Sequence, residues 1–241
     1  MIPKHFYQTC QNQLTENEIY WAETFDACNP GYGHSVMTAD DCRALIEGGY
    51  PWFLETYDAM TAEERLDVIR YFIIFQQGGI YIDRNVECLS PFDQIVNVGG
   101  VIMGRMGTLD NDQSIRNSIL FSEPHEEFWL LCISLAMGNP WGVKGNALLY
   151  KAANLYHTEY PDDLVQNRIT RVRVNLRSDQ RDTRTKSLVN VLPGNQFYPV
   201  NANDPLHDRY MRFGLLNGGK RLDRETAVKL FPKSFTVAYW G

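Results

Sequence analysis

Thr61-Ala62-Glu63-Glu64-Arg65-Leu66-Asp67-Val68-Ile69-Arg70-Tyr71-Phe72-Ile73-Ile74-Phe75-Gln76-Gln77 runs directly into Gly78-Gly79-Ile80-Tyr81-Ile82-Asp83-Arg84-Asn85. Thr61 and Glu64 stand at capping-box spacing, so a helix is expected to begin at Thr61 and to run through Gln77, where two glycines stop it. Ile80-Tyr81-Ile82 is then a short apolar run of β type that ends in the polar group Asp83-Arg84-Asn85. Helix, glycine pair and strand together deliver Asp83 to the C-terminal end of a strand. In open α/β sheets that is the edge where ligands sit, because the connections there leave a crevice.

Upstream, Ile2 to Gln8 reads as a short strand entered through Pro3. Helix-compatible sequence from Thr15 to Phe25, the turn cluster Asn29-Pro30-Gly31-Tyr32-Gly33 and a brief strand from His34 to Met37 complete a βαβ pattern. A helix capped by Asp40 or Asp41 follows and runs toward Glu47. Downstream, Val98 to Met103 reads as a strand, Glu126 to Met137 as a buried helix and Asn146 to Tyr156 as another helix. Arg171 to Arg177 alternates strictly, as a half-buried strand with one cationic face does. Without an internal repeat or a low-complexity linker, the pattern predicts one α/β domain with irregular additions in its second half.

The bulk composition agrees with a folded domain. Of 241 residues, 44% are apolar and 22% charged, and the 30 aromatic side chains (13 Tyr, 12 Phe, 5 Trp) supply a large core. A domain of this size permits a stable monomer. The 29 acids outnumber the 23 bases and give a net charge of −6, which argues against nucleic acid and anionic lipid as partners. No apolar run approaches the roughly 20 residues of a membrane span, and the N-terminus lacks the apolar core of a secretory signal. Cys10, Cys28, Cys42, Cys88 and Cys132 form no CxxC pair and read as free thiols, consistent with a soluble, cytoplasmic protein.

Asp83 and Asn85, two apart on an extended segment, would project to one side with Glu87 following on that face. Such a cluster of hard oxygen donors suits Mg²⁺ or Mn²⁺ bridged to a diphosphate. On the preceding helix, Asp67 and Arg70 share a face that is otherwise apolar. An ion pair between them accounts for both residues structurally. A carboxylate for sugar hydroxyls beside a guanidinium for phosphate accounts for them functionally. Arg168 to Lys186 holds seven of the 23 basic residues, either as a solvated edge or as a patch for an anionic group. The five histidines, His5, His34, His125, His157 and His207, show no ligand spacing, and Trp141 and Tyr198 sit in loop-like sequence where they could stack on a sugar ring.

The order Ile2-Pro3-Lys4, Gln8-Thr9, Asn29-Pro30-Gly31-Tyr32, Tyr50-Pro51-Trp52, Asp67 to Tyr71, Gly78 to Asp83 and Val86-Glu87-Cys88-Leu89 resembles the DXD-type sugar transferases. It is most similar to glycosyltransferase family 32, the type of the initiating mannosyltransferase and of capsular-polysaccharide enzymes, and more distantly to the clostridial glucosylating toxin domains. The resemblance is strong to about Asp93 and fainter beyond, with echoes at Lys144-Gly145-Asn146 and Trp240-Gly241.

It implies a single-domain GT-A fold, an α/β fold with a mixed, mostly parallel central sheet flanked by helices. Residues 1–93 would bind the nucleotide sugar, and 94–241 would supply the acceptor side and a closing segment. It also implies retaining transfer of a hexose from a UDP-sugar or GDP-sugar to a glycan or glycoprotein hydroxyl. Tyr7, Gln8, Thr9 and Tyr81 would line the nucleotide pocket, Asp67 would hold sugar hydroxyls, and Arg70 would meet the sugar or diphosphate. Asp83 would contact ribose and the metal shell, with Asn85 at the second metal position and Trp240 closing over the diphosphate.

Two departures from the family pattern bear on the metal. The second acid of the DXD is the neutral amide Asn85, and Ala238-Tyr239 stands where such families often place a histidine. Less negative charge weakens attraction for a divalent ion, so Mn²⁺ or Mg²⁺ is expected to bind weakly and only with the nucleotide diphosphate. A non-catalytic nucleotide- or glycan-binding relative is the competing reading. A Rossmann-type redox enzyme is disfavoured, because no GxGxxG follows the first strand.

Overall fold

The computed structural model describes residues 1–11, 13–105, 115–138, 144–156, 171–173, 188–199 and 222–239. Its first half contains β1 (His5–Thr9), α1 (Glu16–Cys28), β2 (Gly33–Met37), α2 (Ala39–Gly49), α3 (Leu54–Ala59), α4 (Ala62–Gln77), β3 (Gly79–Ile82) and β4 (Val86–Cys88). There follow α5 (Asp93–Val96), β5 (Val101–Arg105), β6 (Ile115–Ser122), α6 (Glu127–Gly138) and α7 (Gly145–Tyr156). β7 (Arg171–Arg173), β8 (Leu188–Leu192), α8 (Gly194–Phe197), α9 (Arg224–Leu230) and β9 (Thr236–Ala238) complete the described chain.

Among the described residues, seven strands form one mixed sheet in the order β2-β1-β3-β6-β5-β8-β7. β1 pairs parallel with β2 and β3, and β5 pairs parallel with β8. β6 runs antiparallel between β3 and β5, and β7 closes the edge antiparallel to β8. Five of the seven strands therefore point the same way, giving the mixed, mostly parallel sheet that the resemblance implies.

α4 starts where its sequence predicts. The Thr61 hydroxyl accepts from Glu64 N–H, and the Glu64 carboxylate accepts from Thr61 N–H. Every residue from Val68 to Ile74 is buried, which explains why this helix is apolar nearly all round. Burial of Ile69, Phe72, Ile73 and Ile74 contributes roughly 1.5–3 kcal/mol each. Gly78 and Gly79 then take φ of 64° and 85°, and a Cβ at Gly79 would stand 2.7 Å from the His5 carbonyl oxygen. Both the left-handed backbone and the close approach of β1 require glycine there. β3 emerges with all four residues buried, Tyr81 facing the core under α4, α6 and α7, and Ile80 and Ile82 facing the core with Phe6, Phe25 and Phe92.

Two expectations change and one strand is added. α2 is capped by Thr38, with Asp41 as the reciprocal partner three residues on, rather than by an aspartate. β6, an eight-residue strand at the centre of the sheet, was not legible in the sequence. Tyr198 is 1% exposed and packs in the core, so it offers no ring to a sugar. Trp141, His157, His207 and, apart from β7, the basic segment from Arg168 to Lys186 lie outside the described residues. Among the described residues no helix is long and apolar enough to cross a membrane.

β4 and β9 form a separate antiparallel ribbon that ties the C-terminal segment to the chain just beyond Asp83. α9 packs beside it. Arg224 donates to the Cys88 carbonyl oxygen at 2.9 Å and to the Cys28 sulfur at 2.8 Å. A hydrogen bond from Cys88 and the Arg224 guanidinium lower the Cys28 thiol to about 6 against the opposing effect of burial, whereas burial raises Cys42, Cys88 and Cys132. All five cysteines are free. Iodoacetamide is therefore expected to alkylate Cys28 faster than Cys42, Cys88 and Cys132, with a rate that falls as pH drops through 6 and is flat above about 7. Peptide mass spectrometry across pH checks this, and a rate at Cys28 still climbing tenfold between pH 7 and 8 would contradict it.

Candidate active site

Three elements meet at the C-terminal edge of β3. α4 presents Asp67 and Arg70 one turn apart, Asp83 follows directly on the last residue of β3, and β6 passes alongside carrying Asn117. Arg70 is the hub. Its Nη1 donates to Asp83 Oδ1 at 3.1 Å and to the Asn117 carbonyl oxygen at 2.7 Å. Its Nη2 donates to Asp67 Oδ1 at 3.2 Å, and its Nε to the Leu66 carbonyl oxygen at 3.1 Å. The guanidinium lies over the Tyr81 ring, 4.8 Å from its centroid, and the Tyr81 hydroxyl bonds Thr9 Oγ1 at 2.8 Å.

Burial opposes the charge on Arg70, but the Asp83 carboxylate, with Tyr81 and Asp67, outweighs it and raises the pKa further. The cation is permanent. The Arg70 side chain is only 5% exposed while Asp67 and Asp83 are 37% and 28% exposed, so the guanidinium is sealed and the carboxylates reach the cleft. That cleft, ≈ 300 Å³, is lined by Thr9, Asp67, Arg70, Tyr81, Asp83 and Asn85, with Glu18, Glu63, Leu66 and Arg84 completing the wall.

Residues 7–99 match the glycosyltransferase sugar-binding region containing the DXD motif. The chain is also similar to inositol phosphoceramide mannosyltransferase 3 of Schizosaccharomyces pombe, 37% identical over 98 residues, covering 40% of this chain and 28% of that protein. Mannosyl phosphorylinositol ceramide synthase of Saccharomyces cerevisiae is 30% identical over 135 residues, covering 55% of this chain and 35% of that one. The initiation-specific alpha-1,6-mannosyltransferase of Candida albicans is 29% identical over 111 residues, covering 42% and 29%. The chain thus spans about a third of the length of these curated relatives. Among solved structures, the PaToxG glycosyltransferase superposes with a TM-score of 0.50 at 16% identity, covering 64% of this chain and 69% of that one, and shares the GT-A-like fold.

Within the DXD region the structure brings together Thr9, Asp67, Arg70, Tyr81, Asp83 and Asn85. Tyr7 and Gln8 sit elsewhere on β1: the Tyr7 ring packs 4.5 Å from His5, and buried Gln8 bonds His34 at 3.2 Å. Trp240 lies outside the described residues.

The expected cluster of Asp83, Asn85 and Glu87 on one extended face does not form. Asp83 to Asn85 make a turn, and Glu87 is fully buried in β4, accepting from the Tyr239 hydroxyl at 2.5 Å. Period-two projection holds only while the strand continues, and β3 ends at Ile82. Asn85 is itself clamped. Its amide donates to the Tyr239 carbonyl oxygen at 2.8 Å, and Tyr239 N–H donates to the Asn85 carbonyl oxygen at 2.8 Å. Asn85 thus lines the cleft with its amide nitrogen already committed to Tyr239.

Asn117 belongs to none of the sequence motifs, and Arg84 and Gly145 enter them only as members of Asp83-Arg84-Asn85 and Lys144-Gly145-Asn146. Arg84 was readable as a cation inside the DXD, and it lines the cleft while paired with Glu18 at 3.0 Å. For Asn117 no sequence signal existed, since it lies on the unread strand. Of the five N–H groups of Arg70, the four contacts above use all but one, so Arg70 is chiefly an anchor for two carboxylates.

Proposed function

We propose that the chain is a retaining glycosyltransferase that moves a hexose from a nucleoside-diphosphate sugar to a hydroxyl acceptor. The observation that carries the reading is the sealed Arg70 holding Asp67 and Asp83 at the mouth of the cleft, where the connections leave β3. Two fixed carboxylates on one cation form a rigid acceptor surface for sugar and ribose hydroxyls, and Arg84 is the second cation for a diphosphate. The names of the relatives make mannose the sugar to try first and the hydroxyl of a glycan or of an inositol phosphate lipid headgroup the acceptor.

Four carboxylates against two guanidiniums leave the cleft acidic, which disfavours a bare diphosphate and favours one accompanied by a divalent cation. The donor set fits such an ion only in part. Asp83 and Asn85 Oδ1 are hard oxygens, but among the described residues no three His, Cys, Asp or Glu side chains converge. Mn²⁺ or Mg²⁺, held by Asp83 and Asn85 together with the diphosphate, would neutralise the leaving group. Calorimetry of Mn²⁺ against the nucleotide-free protein is expected to show no micromolar binding, and a micromolar Kd would contradict this.

Catalysis then rests on positioning and electrostatics. Asp67 orients the sugar, Asp83 the ribose, and the departing phosphate oxygen takes the proton of the acceptor hydroxyl as it attacks the same face. The test is a thermal-shift panel of UDP- and GDP-sugars with and without Mn²⁺, followed by assay of nucleoside diphosphate release. Stabilisation by one donor with slow release supports the enzyme. Stabilisation without turnover by any donor supports the competing non-catalytic reading, which the neutral Asn85 motivates.

A further inference from the structure

Three polar groups of Asn117 meet three different partners. Its backbone N–H donates to Asn146 Oδ1 at 2.9 Å, its carbonyl oxygen accepts from Arg70 Nη1 at 2.7 Å, and its side-chain amide donates to Asp67 Oδ1 at 3.0 Å. Asp67 Oδ1 thus receives donors from two elements, Arg70 on its own helix and Asn117 on β6. A carboxylate on an exposed helix turn would otherwise sample several rotamers, and one donor alone leaves it free to swing. Two donors on one oxygen fix the direction of the other.

That other oxygen, Oδ2, faces Gly145, where an added Cβ would stand 3.0 Å away on a backbone with φ of 53°. Asp67 and Gly145 both line a second pocket, with Met60, Glu64, Val68 and Lys144 among its walls.

We propose that Asn117 is a positioning residue, holding Asp67 so that its outward oxygen meets a single hydroxyl of the donor sugar. The proposal rests on the reading of Asp67 as a sugar-binding carboxylate. It assigns Asn117 no contact with the nucleotide. Side-chain substitution leaves the two backbone bonds of Asn117 in place, so Arg70 and α7 keep their anchors while the hold on Asp67 is lost.

The experiment measures, by calorimetry, affinities for GDP-mannose and for GDP, or for the sugar donor and free diphosphate that stabilise the wild-type protein best. Asn117→Ala is expected to weaken the sugar donor about tenfold or more while leaving the free diphosphate within about twofold. Asn117→Asp, nearly isosteric, is expected to be worse than Asn117→Ala, because it sets a carboxylate against a carboxylate. A merely space-filling Asn117 gives the opposite order, with Asn117→Asp close to wild type, and that result overturns the proposal. Equal weakening of both ligands also overturns it. Asn117→Ala adds no charge and carries the test if Asn117→Asp does not fold.

Asp67→Ala separates the two layers. If it weakens the sugar donor and the Asn117 variants do not, positioning fails and the function stands. If it has no selective effect, or if no sugar donor binds the wild type, the sugar-binding reading fails and the proposal with it.

Discussion

Arg70→Met is expected to destabilise the protein by about 3 kcal/mol and to remove donor binding altogether. The substitution keeps the apolar stem but withdraws the cation from Asp67, Asp83 and the Asn117 carbonyl oxygen at once. Removing one partner of a buried ion pair costs about 3–5 kcal/mol. The lower end applies because both carboxylates reach solvent and recover hydration, whereas the Asn117 carbonyl does not. For a domain of this size the loss corresponds to a fall in Tm of roughly 6–12 °C, read by calorimetry or circular dichroism. A variant as stable as the wild type would mean that the hub does not organise this edge of the sheet. Arg70→Lys is a sharper control, because one ammonium cannot reproduce a planar fork shared among two carboxylates and two carbonyls.

The second large effect falls on activity. Asp83→Ala is expected to lower transfer and donor hydrolysis by roughly 10³-fold or more while the chain stays folded. Arg70 retains Asp67 and Asn117 when Asp83 is removed, so its charge is not orphaned. Asp83→Asn separates charge from shape. Its amide oxygen still accepts from Arg70 Nη1, so stability is expected within about 1 kcal/mol of wild type, yet the negative charge facing the cleft is gone. Full turnover in either variant would remove Asp83 from the chemistry.

The parts of this site that sequence made legible are those that local rules govern. A capping box, a glycine pair and an i,i+3 charged pair on an apolar helix are short-range signals, and they place Asp67, Arg70 and Asp83 correctly relative to one another. β6 carries no clear strand signature in sequence, because Ile115-Arg116-Asn117-Ser118 breaks the apolar run with charged and polar residues, Asn117 being of a type depleted in strands. Its place at the centre of the sheet comes from pairing with β3 and β5, a long-range fact that no window of sequence contains. Asn117 was therefore hidden along with its strand. Glu87 leaves the expected face for a related reason: alternation stops at Ile82, where the chain turns, and the β4–β9 pairing then buries Glu87 beside Tyr239. Asn85 reads in sequence as a weakened metal ligand, and the structure adds a second role, since its amide holds the C-terminal ribbon through Tyr239.

The central claim is that the two carboxylates anchored by Arg70 serve the transfer of a sugar from a nucleotide donor. Its most direct test is nucleoside diphosphate release from a panel of UDP- and GDP-hexoses with Mn²⁺ present, comparing wild type with Asp83→Asn. The expected result is slow release from one donor by the wild-type protein and none above background by Asp83→Asn, with both proteins equally folded. Equal release by the two, or no release by the wild type from any donor, would contradict the account.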